Sequence, residues 1–63
     1  NPGLADRIIV ALEALPLNQR VIIVMSLGND VTQLTIAEGR GISERTVQYA
    51  IYDGIRAIAA RVF

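Results

Sequence analysis

The sequence has no cysteine, histidine, lysine or tryptophan, and only two prolines and three aromatic residues. Without cysteine there is no disulfide framework, thiol nucleophile or thiolate zinc site. Without histidine the commonest general base and the commonest transition-metal ligand are both missing, and no lysine stands in as a base. Ser26 and Ser43 therefore lack an activating partner. Gly39-Arg40-Gly41 is too short for a phosphate loop and lacks that motif's lysine. The six carboxylates are scattered singly, with no aspartate-rich metal loop. No enzyme, metal site, cofactor or small-molecule substrate is expected.

Long apolar runs are also missing. The uncharged stretch over the apolar centre, Val21 to Asn29, has nine residues, against the roughly 20 a spanning helix needs. Membrane insertion is not expected. No basic segment precedes a long apolar stretch at the N-terminus, so no secretory signal is read and a cytoplasmic location is expected. The absence of an initiator methionine suggests a fragment of a longer protein, with residues 1–3 a disordered leader or expression remnant and residues 4–63 the domain.

What remains is a 63-residue chain, 52% hydrophobic, whose six arginines balance six acids to a net charge of zero. One small domain is the most it can hold, and half its residues being apolar exceeds what so small a core hides. A neutral domain also lacks the global field that usually announces a nucleic-acid or membrane partner.

Pro16, Gly28-Asn29-Asp30 and Gly39-Arg40-Gly41 divide the chain into four segments. Leu4, Ile8, Ala11, Leu12 and Leu15 share one face at helical spacing, predicting a first helix that stops before Pro16. A second helix is predicted from Leu17 to Leu27, closed by Gly28. Its Val21-Ile22-Ile23-Val24-Met25 run resembles a buried strand, but no second strand-like run exists to pair with it. Thr32 is placed to cap a third helix, Gln33 to Gly39 or Arg40, and Ser43 to cap a fourth, Glu44 to about Val62. Val47, Ile51, Gly54, Ile55, Ile58 and Val62 form its inward stripe, while Arg45, Tyr49, Tyr52 and Arg56 share the opposite face, flanked by Gln48 and Asp53. The expected fold is all-α, a compact four-helix domain without winged elements.

Gln33 to Tyr52 reads as helix, tight turn, helix. A helix-turn-helix needs a small residue at the crossing, a glycine in the turn and a branched apolar residue early in the second helix. Ala37, Gly41 and Val47 fill these roles, with Ile36, Ile42 and Ala50 between them. Arg40 disagrees, standing where such motifs put an apolar plug. Either its stem covers the crossing and its guanidinium reaches solvent, or it ends the third helix early and points at a phosphate.

The string Leu15-Pro16, Arg20, the apolar run to Leu27, Val31-Thr32, Thr35-Ile36-Ala37-Glu38, Gly41-Ile42-Ser43 and Thr46-Val47 resembles region 4, the C-terminal domain of bacterial RNA polymerase sigma factors. It is closest in style to the extracytoplasmic-function group, including the iron-uptake type, over about Ala11 to Ala59. Response-regulator helix-turn-helix domains share the Ser-Glu-Arg-Thr-Val start, but their helix-2 leucine lies one residue nearer the Ile-Ala pair. The resemblance implies promoter recognition: double-stranded −35 DNA read by the fourth helix, docking on the flap of core RNA polymerase, and an anti-sigma factor that masks the docking surface.

The residues expected at DNA are Ser43, Glu44, Arg45, Thr46, Gln48, Tyr49, Tyr52 and Arg56, joined by Arg40 and by Arg20 as a phosphate contact from the second helix. Arg45 suits guanine and Gln48 adenine. Basicity is low, however: Thr32 to Phe63 holds four arginines against three acids, a net of +1. Few positive charges predict weak binding with a shallow salt dependence. The second helix is apolar around its circumference and is expected to be buried on all sides. Together with the ends of the chain it supplies more apolar surface than one bundle encloses, so a protein-binding patch is expected from Ile9, Val10, Val21, Val24, Met25, Ile58, Val62 and Phe63. An alternative is a sigma-like domain that titrates an anti-sigma factor, with weak or no DNA binding; a second is a response-regulator-type DNA-binding domain.

Overall fold

The computed structural model describes residues 3–63. Of the expected leader only Gly3 falls among them, as the N-cap of the first helix; Asn1 and Pro2 lie outside the described residues. Four α-helices follow in order: α1 Leu4–Glu13, α2 Leu17–Ile23, α3 Gln33–Arg40 and α4 Glu44–Val62. No strand forms among the described residues, and the β-branched run of α2 is helical.

Local chemistry explains most of the boundaries. Pro16 cannot continue α1 and serves as the N-cap residue of α2. Carbonyls at the end of α1 would otherwise lack partners. Arg20 supplies them, its Nη2 donating to Glu13 O and Leu15 O, each at 3.2 Å. Thr32 and Ser43 cap α3 and α4, accepting from Thr35 N–H at 3.2 Å and Thr46 N–H at 3.1 Å.

Two expectations about the second helix are corrected. It does not run regularly to Leu27: after Ile23 the chain widens into a π-helical turn, Val24–Gly28, where Asn29 N–H reaches back five residues to Val24 O at 3.2 Å. Gly28 is therefore not the closing left-handed residue. That conformation falls on Asp30, with φ 55°, after which Val31 N–H bonds Met25 O at 3.0 Å. Nor is the segment buried all round. Ile22 and Ile23 are buried, but Leu17, Val24 and Leu27 are exposed, because among the described residues the segment packs chiefly on α4 and α3.

The core is small and wholly apolar. Ile36 and Val47 reach 0% exposure, and Ile22, Ala37 and Ile51 complete the cluster, with Met25, Val31, Ile42 and Ala50 against it. Helix α4 is the hub that packs on α1, α2 and α3. At 19 residues it is about 28 Å long. The molecule is accordingly elongated, 40 × 19 × 15 Å. Its radius of gyration of 12.0 Å exceeds the roughly 10.6 Å of a compact 63-residue domain.

Candidate nucleic-acid interface

The turn between α3 and α4 sets the geometry of the exposed helix. Gly41 adopts φ 67°; Ile42 N–H bonds Ala37 O at 3.0 Å and Gly41 N–H bonds Glu38 O at 3.4 Å. This paired closure stops α3 and drives Ile42 back against the core. Ala37 is buried at the crossing and Val47 locks the second helix, so the three motif positions hold the places expected of them. Ser43 then starts α4, its hydroxyl sharing a 2.9 Å hydrogen bond with Thr46 Oγ1.

Along α4, Arg45, Tyr49, Tyr52 and Arg56 are exposed on one narrow stripe, with Gln48 and Asp53 beside it and Glu44 and Thr46 at its start. The stripe extends about 16 Å at 1.5 Å per residue. Its first two turns carry the planar hydrogen-bonding groups of Arg45 and Gln48. Its far end is partly self-neutralised, because Arg56 lies 4.0 Å from Asp53 with both side chains well exposed, a pairing of little strength. Of the first-turn amides of α4, that of Thr46 is taken by the Ser43 hydroxyl, which leaves those of Glu44 and Arg45 without an acceptor in the helix.

Arg40 keeps the exposed head of its first reading and shows none of the early helix end of its second. It completes α3 rather than ending it early, and its guanidinium donates to Asn18 Oδ1 at 3.0 Å, tying the turn to α2. It remains exposed. Arg20 has a structural engagement that the sequence reading did not foresee. It is half-buried, and its Nη2 donates to the Glu13 and Leu15 carbonyls at the end of α1. Sequence spacing places Arg20 on α2 but does not reveal that the unpaired carbonyls of α1 lie within its reach.

A second surface lies towards the C-terminal end of α4. Ile8 and Leu12 of α1, Ile23, Val24, Leu27 and Gly28 of α2 and the π turn, and Ile55, Ile58, Ala59 and Phe63 at the end of α4 line an open groove of about 410 Å³ with no charged wall. Of the residues expected at a protein-binding patch, Val24, Ile58 and Phe63 meet here. Val62 is buried at 2% exposure and belongs to the core. Met25 packs on the core and Val21 is half-buried. Ile9 is exposed outside the groove, and Val10 borders a separate cavity with Asp6, Arg7 and Arg61. The residues missed, chiefly Ile8, Leu12, Leu27 and Ile55, show the same helical spacing as core positions. Periodicity gives their face, not whether anything covers it.

Among the described residues no helix is long and apolar enough to cross a membrane, and no group of three potential ligands could hold a metal. Residues 5–58 match the family described as Sigma-70, region 4. No curated protein and no solved structure matches the chain.

Proposed function

The chain belongs to the sigma-70 region 4 family, the promoter-recognition, DNA-binding domain of RNA polymerase sigma factors, and we propose that it reads the −35 element by laying the start of α4 in the major groove. The observation that carries this reading is the exposed Arg45, Gln48 and Tyr49 group on the first turns of a helix whose N-terminus is fixed by Gly41 and Ser43. Arg45 offers a bidentate donor pair to guanine, Gln48 a donor and acceptor to adenine, and Glu44 an acceptor for the cytosine amine. Ser43 and Thr46 sit with the α4 amides and Arg40 against one phosphate strand, while Tyr52 and Arg56 border the other. Family membership implies binding to core polymerase as well as DNA. The apolar groove is the docking surface we assign to the flap, and an anti-sigma factor of the extracytoplasmic-function type would mask it. Such a module acts in the cytoplasm.

The exposed Glu38, Glu44 and Asp53 around the stripe favour a second reading, a sigma-like domain that binds an anti-sigma factor and has little hold on DNA. Binding of the chain to a −35-like duplex at low salt separates the two. The DNA reading expects measurable affinity that Arg45→Ala and Gln48→Ala each weaken by about tenfold or more, as one bidentate base contact allows. Negligible affinity that neither change alters would sink it.

A further inference from the structure

Apolar packing holds helices together without fixing their direction, because burial is non-directional; hydrogen bonds carry the angular preference. Around the recognition unit two side-chain hydrogen bonds leave consecutive residues of α2 for different helices. Gln19 Nε2 donates to Ala50 O in the middle of α4 at 3.1 Å. Asn18 Oδ1 accepts from Arg40 Nη2 at the end of α3 at 3.0 Å. Both pairs border a cleft of about 550 Å³ between the start of α2 and the helix-turn-helix, while the apolar packing of α2 is made by Ile22 in the core.

The contact to α4 is repeated one turn on in both helices. Four residues after Gln19 comes Ile23, and four after Ala50 comes Gly54. A Cβ added to Gly54 would fall on Ile23 Cδ1, with Ile23 Cγ1 at 3.2 Å and Gln19 Cγ at 3.5 Å. A directional bond and a point of closest approach thus sit in register along one seam. Together they restrict both the rotation of α4 against α2 and its sliding.

We propose that Gln19 and Asn18 are positioning residues for DNA reading: they touch no base, and hold the stripe of Arg45 and Gln48 at the angle that base contacts need. This rests on the proposed −35 reading, which Arg45→Ala tests independently.

Three variants of the chain isolate the effect. Gln19→Met keeps the length of the stem and removes the donor. Asn18→Leu removes the acceptor for Arg40, and Asn18→Asp keeps it. A duplex selected by the parent chain from a randomised pool, and the same duplex with its guanine replaced, give a selectivity ratio. Partial unfolding lowers both affinities alike and leaves that ratio alone, whereas a misdirected helix lowers it. Gln19→Met and Asn18→Leu are expected to reduce the ratio about fivefold, a part of what one bidentate contact contributes, and Asn18→Asp to retain it. Residual dipolar couplings of the free variants should show α4 turned relative to α2 in Gln19→Met. An unchanged ratio with unchanged helix directions overturns the proposal. A parent chain that selects no duplex counts against the −35 reading itself, and the dipolar couplings then decide the clasp alone, unchanged directions overturning it.

Discussion

Glycine at two neighbouring positions has opposite meanings in this chain. Gly39 lies inside α3 with nothing within 4 Å of an added Cβ, whereas Gly41 lies equally open but at φ 67°. Sterics are therefore removed from the comparison and only backbone preference remains. Gly39→Ala should stabilise the fold by about 0.5–1 kcal/mol through helix propensity. Gly41→Ala should destabilise it by about 1–2 kcal/mol through the left-handed penalty. In a domain of this size each kcal/mol moves the melting temperature by about 4–8 °C, so calorimetry should record shifts of opposite sign. Equal shifts would mean the turn is not held in the left-handed conformation. Gly41 was legible in the sequence because its demand is local. Arg20 was not, since its partners, the carbonyls of Glu13 and Leu15, become available only once α1 has ended at Glu13 and the chain has turned into α2.

The elements show the same division. Thr32, Ser43 and Pro16 mark helix starts through their own chemistry, and all three boundaries stand where the residues place them. The end of α2 depends instead on a competition among Gly28, Asn29 and Asp30 for the reversal, decided by the π turn and the bond from Val31 to Met25. No single residue announces it. Because Ser43 caps α4 at the end we propose to lie against DNA, cap and contact can be separated there. Ser43→Asp keeps an acceptor for Thr46 N–H and adds a charge that favours a helix N-terminus by about 0.3–1 kcal/mol. Thermal stability should hold or rise. The same charge sits where a phosphate would approach, so duplex affinity should fall at low salt. Ser43→Ala, by contrast, should cost about 1 kcal/mol of stability. If Ser43→Asp binds the duplex as well as the parent does, the start of α4 is not at the phosphate backbone.

At the scale of the molecule, the neutral total resolves into two surfaces of a thin domain, a polar stripe on α4 and an apolar groove lined by α1, the π turn and the end of α4. Sequence periodicity identified the apolar faces of α1 and α4 but counted Ile8, Leu12 and Ile55 as core. A molecule only 19 × 15 Å in its narrow dimensions has no further layer to cover them, and they become walls of a groove. The polar face is correspondingly poor in charge: Arg45 is exposed and uncommitted, Arg56 is shared with Asp53 and Arg40 with Asn18. With about two to three phosphates neutralised, the logarithm of the duplex affinity should fall against the logarithm of salt with a slope of about −2 to −3. So shallow a slope means weak binding by the chain alone, and on the proposed reading promoter affinity comes from assembly through the groove. Val24 lies on the groove wall and is exposed, so Val24→Glu should leave the helical signal and the duplex salt slope unchanged while abolishing capture by core polymerase. Loss of folding would instead return Val24 to the core, and undiminished capture would move the docking surface elsewhere. A slope much steeper than −3 would show that the domain holds DNA by more charge than the α4 stripe and Arg40 provide.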